Sequence, residues 1–176
     1  MQAEKQAIVG DNENTHPAPD LHLSNDALAA LLEGRYIASL GTLDRDGRIH
    51  IVPLWYRREG DRILLPTSSR SHKAQNIRRH SYVSVMIHQT GAGSERGALI
   101  RGPVDVVEGP EALELNHSIY LRYVTPKGLN HPAVAESLAG DDVTLRVKME
   151  EVVSWDLSRL ESARILREPG IAYDIE

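Results

Sequence analysis

The chain has 176 residues, enough to bury one hydrophobic core but not two. An apolar fraction of 41% and a charged fraction of 26% suit a globular protein, and a net charge of −5 argues against a nucleic-acid partner, which calls for a basic surplus. With no cysteine, a disulfide framework, a thiolate nucleophile and cysteine-held zinc or iron–sulfur are all excluded.

Residues 1–20 are polar, aperiodic and broken by proline, which predicts a flexible arm ahead of a single domain over residues 21–176. That opening has no secretory apolar region, and no apolar run approaches the roughly 18 residues that cross a bilayer. A cytoplasmic protein without membrane contact is therefore expected. Ser24 can cap a helix over Asn25–Glu33, whose Leu28, Leu31 and Leu32 share one face and which Gly34 can end.

Tyr36–Leu43 reads as a strand, Asp44–Gly47 as a turn, and Arg48–Arg57 as the returning strand of a hairpin. Pro53 requires that strand to lie at an edge, a bulge or a place where something other than a strand approaches. After a turn at Glu59–Asp61, the sequence predicts a strand over Arg62–Pro66, a short helix over Ser71–Arg79 and a strand over Tyr82–His88. The glycine-rich TGAGSERG stretch reads as a flexible loop or a lid. Ala98–Val107 is a long strand interrupted by Pro103, and Pro110 suits the start of a helix running to about Tyr123. A short helix from His131-Pro132 to Leu138 and a strand over Val143–Trp155 complete the pattern. About six strands with a few short helices predict a mainly β, closed antiparallel barrel with helices at its ends.

Chemistry concentrates in Thr67-Ser68-Ser69-Arg70-Ser71-His72-Lys73-Ala74-Gln75-Asn76, where a strand ends and a helix begins. Hydroxyls, the free amides of a helix start, a lysine in its first turn and a neighbouring arginine all suit a phosphate group. A serine loop capped onto a helix, with Arg70 and Lys73 solvated, fits the same residues. The eight histidines form no His-x-x-x-His or HEXXH pattern, so no metal is expected, and no Gly-x-Ser-x-Gly elbow occurs.

The order of segments resembles the pyridoxamine 5′-phosphate oxidase-like split-barrel superfamily, whose members bind FMN or the deazaflavin coenzyme F420. The resemblance runs through Ser39-Leu40-Gly41-Thr42, Val52-Pro53-Leu54-Trp55-Tyr56, Gly60-Asp61-Arg62-Ile63, Thr67 to Arg79, Val83–Ile87, Arg101–Val104, Arg122-Tyr123 and Val153–Asp156. It implies a six-stranded split barrel, homodimeric, with the cofactor at the subunit interface. It also implies that the ring rests along Val52, Pro53, Leu54 and Trp55, and that the phosphate meets Thr67, Ser68, Arg70, Ser71, Lys73 and Asn76. Oxidation of vitamin B6 is not expected: Arg48 lacks the Leu-Lys that follows four and five residues on in true oxidases, and the tail GIAYDIE lacks their Arg-Leu-x-Pro.

The Pro-x-Trp, Gly-Asp-x-Ile and Thr-x-x-x-Ser-x-Lys-x-x-Asn pattern is more similar to deazaflavin-dependent reductases. It implies hydride transfer from reduced F420 to a conjugated enone, quinone or planar polyketide. An FMN enzyme of the same fold and a non-catalytic flavin- or haem-binding protein are the alternatives. Arg57, Arg58, Arg78, Arg79 and Lys127 are candidates for the anionic tail of the deazaflavin. His50, Tyr56, His88, Tyr120 and Tyr123 are candidates for a proton donor, each with packing as the competing reading. Trp155 either covers the cofactor from the partner subunit or packs in the fold.

Overall fold

Ser24 opens the first helix as predicted: its hydroxyl accepts from the Ala27 amide at 3.2 Å and caps α1 (Asn25–Leu32), which buries Leu31 and Leu32. The structure is a computed structural model describing residues 20–138 and 142–173. The arm expected over residues 1–20 thus lies, but for Asp20, outside the described residues.

After α1 come β1 (Ala38–Leu43), β2 (Ile49–Leu54), β3 (Arg57–Glu59), β4 (Arg62–Ser68), α2 (His72–Arg79), β5 (Tyr82–Gln89) and β6 (Arg96–Val107). Then follow α3 (Gly109–Tyr123), α4 (Pro126–Leu129), α5 (Pro132–Leu138), β7 (Asp142–Lys148), β8 (Glu151–Asp156), a single 3-10 turn at Leu157–Arg159, and α6 (Glu161–Leu166). The strands make one eight-stranded antiparallel sheet in the order β2-β1-β5-β6-β7-β4-β3, with β8 pairing the other half of β6 beyond the end of β7.

Eight strands replace the expected six because two predicted strands are each divided. Arg48–Arg57 breaks after Leu54: Tyr56 turns its ring into the core, and the chain resumes as β3 against β4 rather than β1. Val143–Trp155 breaks between Lys148 and Glu151, so that β7 and β8 pair with different halves of β6. Along β6 the β8 ladder ends at Arg101↔Glu151 and the β7 ladder begins at Val104↔Val147. Pro103, with no N–H to give, stands in that gap. Gly102 stands beside it because a Cβ there would collide with the Lys148 carbonyl at the β7–β8 corner.

The ladder does not close: among the described residues β2 and β3 are its two ends, which makes the barrel an open, curled sheet. Both halves of the sheet turn residues into one core, Leu40, Val85 and Ile100 from one side and Ile63, Leu65 and Leu145 from the other, with α1 packed against it. Pro53 lies on an edge strand, as its missing donor demands. The glycine-rich loop is no free lid, since the Arg167 guanidinium donates to the Gly93 carbonyl and α6 packs against it. Among the described residues no helix is long and apolar enough to cross a membrane.

Candidate functional site

The end of β4 and the start of α2 form a tight cradle. The Thr67 hydroxyl donates to Ser71 Oγ at 3.0 Å, and Ser71 Oγ also accepts from the Ala74 amide at 3.2 Å, capping α2. A hydroxyl has two acceptor positions and one proton. Thr67 and Ser71 share one hydrogen bond between two hydroxyls, so the pair has one O–H proton more than that bond uses. The Ser68 carbonyl accepts from the Ser71 amide at 3.0 Å and the Ser68 hydroxyl from the Arg70 amide at 3.3 Å, which folds the intervening turn. The capped serine turn of the competing reading is the local structure, but Lys73 is half-buried and not solvated.

Lys73 lies in the first turn of α2. It is half-buried, and that burial pushes its pKa down from the usual lysine range. Among the described residues it has no hydrogen-bond or ion-pair partner. A cation held partly out of water without a counter-ion is costly unless an anion joins it.

Asn76 departs from its expected role. Its side chain is fully buried, donating to Thr42 Oγ1 at 3.1 Å and Asp44 Oδ1 at 2.6 Å while its oxygen accepts from Arg79. It pins α2 to β1 and the following turn, and so positions the cradle rather than touching a ligand. The arginines named for an anionic tail are also engaged within the chain. Arg57 donates to Ser118 at 2.7 Å, Arg58 to the Gly60 carbonyl at 3.0 Å and Arg78 to the Ser69 carbonyl at 2.8 Å.

Beside the cradle, the ends of β2 and β4 meet α3 and α5 around a cavity of about 430 Å³. Pro53, Leu54, Trp55, Thr67 and Tyr120 line it, so the two stretches expected to hold ring and phosphate meet at one cavity. Val52 instead packs against the core. Trp55 stacks on Tyr123 with centroids 5.1 Å apart and planes 4° from parallel, and meets Tyr120 edge-on at 6.1 Å. Ile37, Pro66 and Leu138 also line the cavity and were not anticipated. Pro66 had a signal in standing next to Thr67, whereas Ile37 and Leu138 come together with it only through the fold.

Two of the proton-donor candidates turn out to hold the fold together. Tyr56 is fully buried and donates to the Gly34 carbonyl at 3.0 Å; burial, before the neighbouring Tyr123, raises its pKa. The Tyr123 hydroxyl lies 2.8 Å from the Tyr36 carbonyl and 3.2 Å from that of Tyr56, and accepts from the Tyr56 amide at 3.3 Å. It is the knot between α3 and the chain leaving β2. Tyr123→Phe is expected to lower stability by about 1–3 kcal/mol, since those backbone groups lose their partner. The denaturant midpoint measures it, and an unchanged midpoint would refute the knot.

Tyr120 does face the cavity, and its O–H donates to Asp142 Oδ2 at 3.0 Å. Burial first and Asp142 second raise its pKa, so the phenol keeps its proton at neutral pH. His50 does not line the cavity; its ring lies 4.7 Å from that of His72. His88 and Trp155 lie together across β5, β6 and β8 through Gly97, which both face in register, and neither lines the cavity.

The outward face of the β2-β1-β5-β6-β8 side is unusually apolar. Leu43, Ile49, Ile51 and Tyr82 are exposed, Ile49 to 71% and Ile51 to 65%, around a groove of about 610 Å³, and Val153 is exposed on β8 opposite Leu99 of its lining. Monomeric proteins rarely show water so continuous an apolar patch.

A family model described as pyridoxamine 5′-phosphate oxidase matches residues 24–156. No curated protein is similar enough to count as a match. Among solved structures, the chain is similar to a conserved hypothetical protein from Mycobacterium tuberculosis, with a TM-score of 0.67 and 29% identity over 78% of this chain and 88% of that one. It is similar in fold to a protein described as an F420 reductase, with a TM-score of 0.58 and 21% identity over 70% of this chain and 94% of that one. It is likewise similar in fold to a FAD-binding protein from Mesorhizobium loti, with a TM-score of 0.58 and 18% identity over 76% and 95% of the two chains.

Proposed function

The chain belongs to the pyridoxamine 5′-phosphate oxidase family over residues 24–156, and from that premise we propose that it is a flavin-type oxidoreductase whose cofactor is coenzyme F420. The observation that carries the reading is Lys73, a half-buried ammonium without a counter-ion two residues from the capping hydroxyl of Ser71. A phosphate completes that arrangement. The adjoining cavity of about 430 Å³ is walled mainly by apolar and aromatic side chains, which fits a flat ring.

Lys73 and Ser71 would hold the phosphate, with Thr67 fixing the Ser71 hydroxyl and Ser68 and Arg70 shaping the turn beside it. Pro53, Leu54 and Trp55 would hold the ring, Trp55 being kept in place by its stacking on Tyr123. When bound, the deazaflavin supplies a hydride for a conjugated substrate of enone, quinone or planar polyketide type. The chain's own part is to orient that substrate and exclude water. Tyr120, protonated and anchored on Asp142, offers the cavity a phenolic O–H whose position is fixed.

The site is completed by a second copy of the chain. Pro53 both lines the cavity and stands on β2 two residues from Ile51, on the same exposed face. A partner laid over the apolar face would close the cavity's open side.

Titration of the purified protein with F420 and, separately, with FMN tests the reading. Saturable F420 binding, followed by turnover of enones or quinones by reduced F420, supports it. Binding of FMN alone transfers the same site to a flavin enzyme, as the fold likeness to a FAD-binding protein would have it. Binding of neither overturns the redox function.

A further inference from the structure

Asp44, His50 and His72 come from three separate elements, the turn after β1, strand β2 and the first residue of α2. No local spacing links them, so no histidine motif marks them in the sequence. In the folded chain one ligand atom from each lies within 4.8 Å of the others. The two imidazoles are 4.7 Å apart and tilted by 46°, and His72 Nε2 lies 3.2 Å from Asp44 Oδ1.

We propose that Asp44, His50 and His72 bind a divalent transition-metal ion of the zinc type. Ligand atoms around a tetrahedral zinc stand about 3.3 Å apart, so the cluster has to contract by about 1.5 Å at its widest. The His72 side chain is 56% exposed and has the freedom to make that movement. Two imidazole nitrogens and one carboxylate oxygen select zinc, cobalt, nickel or copper over magnesium and calcium, which prefer oxygen throughout. Three protein ligands leave at least one position for water or another ligand.

Two further observations support a ligand here. The His50 ring is half-buried, and among the described residues its nitrogens have no hydrogen-bond partner, although a simple His72–Asp44 ion pair would leave it no role. Asp44 is also held in place: its Oδ1, the oxygen nearest His72, accepts from the buried Asn76 at 2.6 Å, and its amide donates to the Arg48 carbonyl at 2.8 Å. A carboxylate oriented by a second hydrogen bond is the usual support of a metal ligand. The way in is open, through a cleft of about 550 Å³ that Asp44, Arg45, Asp46 and His72 line.

The test uses the full chain without a polyhistidine tag, stripped with chelator, then titrated with Zn²⁺ by calorimetry and with Co²⁺ by visible absorption. One ion per chain is expected, with cobalt bands that excess Mg²⁺ leaves intact. His50→Ala and His72→Ala should each weaken Zn²⁺ binding at least tenfold, while His80→Ala, at the far end of α2, should change it less than twofold. Melting curves verify that the variants fold. Absence of Zn²⁺ binding overturns the site, and so does binding that His50→Ala leaves within twofold, which would reduce the cluster to an ion pair. Neither outcome depends on whether F420 or FMN binds.

Discussion

Ile51→Asp is expected to leave the fold intact and convert a dimer into a monomer. Along β2 the side chains alternate: Val52 and Leu54 pack on the core, while Ile49, Ile51 and Pro53 face outward. The substitution therefore touches only the exposed face, where Ile51 is 65% accessible. In a dimer built on that face, two carboxylates enter the interface, one from each copy. Burying each without a partner costs about 2 kcal/mol or more, so the dimer dissociation constant should rise at least about 1,000-fold. Sedimentation equilibrium reads the change. Because Pro53 borders the cavity, the variant should also bind cofactor more weakly. A wild-type chain that is monomeric at micromolar concentration, or a variant that dimerises as tightly, would place the interface elsewhere.

Local signals carried the elements well where chemistry is local. Ser24 and Ser71 cap the helices that begin after them, and Pro53 sits on an edge strand, because a capping hydroxyl or a missing donor acts within a few residues. The number of strands was not legible. Whether Arg48–Arg57 is one strand or two depends on Tyr56 reaching a place under α1, where its hydroxyl meets the Gly34 carbonyl. Likewise, the break between Lys148 and Glu151 reflects β6 having two partners on one flank, a fact of topology that β-propensity does not register.

The site shows the same division. That Thr67 to Lys73 forms a helix-start cradle was readable from hydroxyls and a lysine at close spacing. That Asn76 in the same motif faces the core was not, since a buried asparagine and a contacting one look alike until Thr42 and Asp44 are brought beside it. The tyrosines divide for the same reason. Tyr120 and Tyr123 share a helix and differ by three positions, yet one faces the cavity and the other spends its hydroxyl on two carbonyls. Asp44, His50 and His72 are the extreme case, with no pattern at all in one dimension.

Lys73→Ala should weaken cofactor binding roughly tenfold to hundredfold, the worth of one charge-assisted contact to phosphate. Lys148→Ala, at the exposed end of β7, should change it less than twofold. The pH dependence carries the sharper signature. Burial lowers the pKa of Lys73 in the free protein, and a phosphate beside it raises that pKa again. Binding therefore takes up a proton wherever the free lysine has begun to lose its own. Affinity should fall as pH rises through the depressed pKa, earlier than an ordinary lysine would give, and the slope should vanish in Lys73→Ala. A wild-type affinity flat across the alkaline range, or a folded Lys73→Ala protein that binds as tightly, would move the phosphate away from α2. The cradle would then be what its hydrogen bonds alone describe, a serine turn capping a helix.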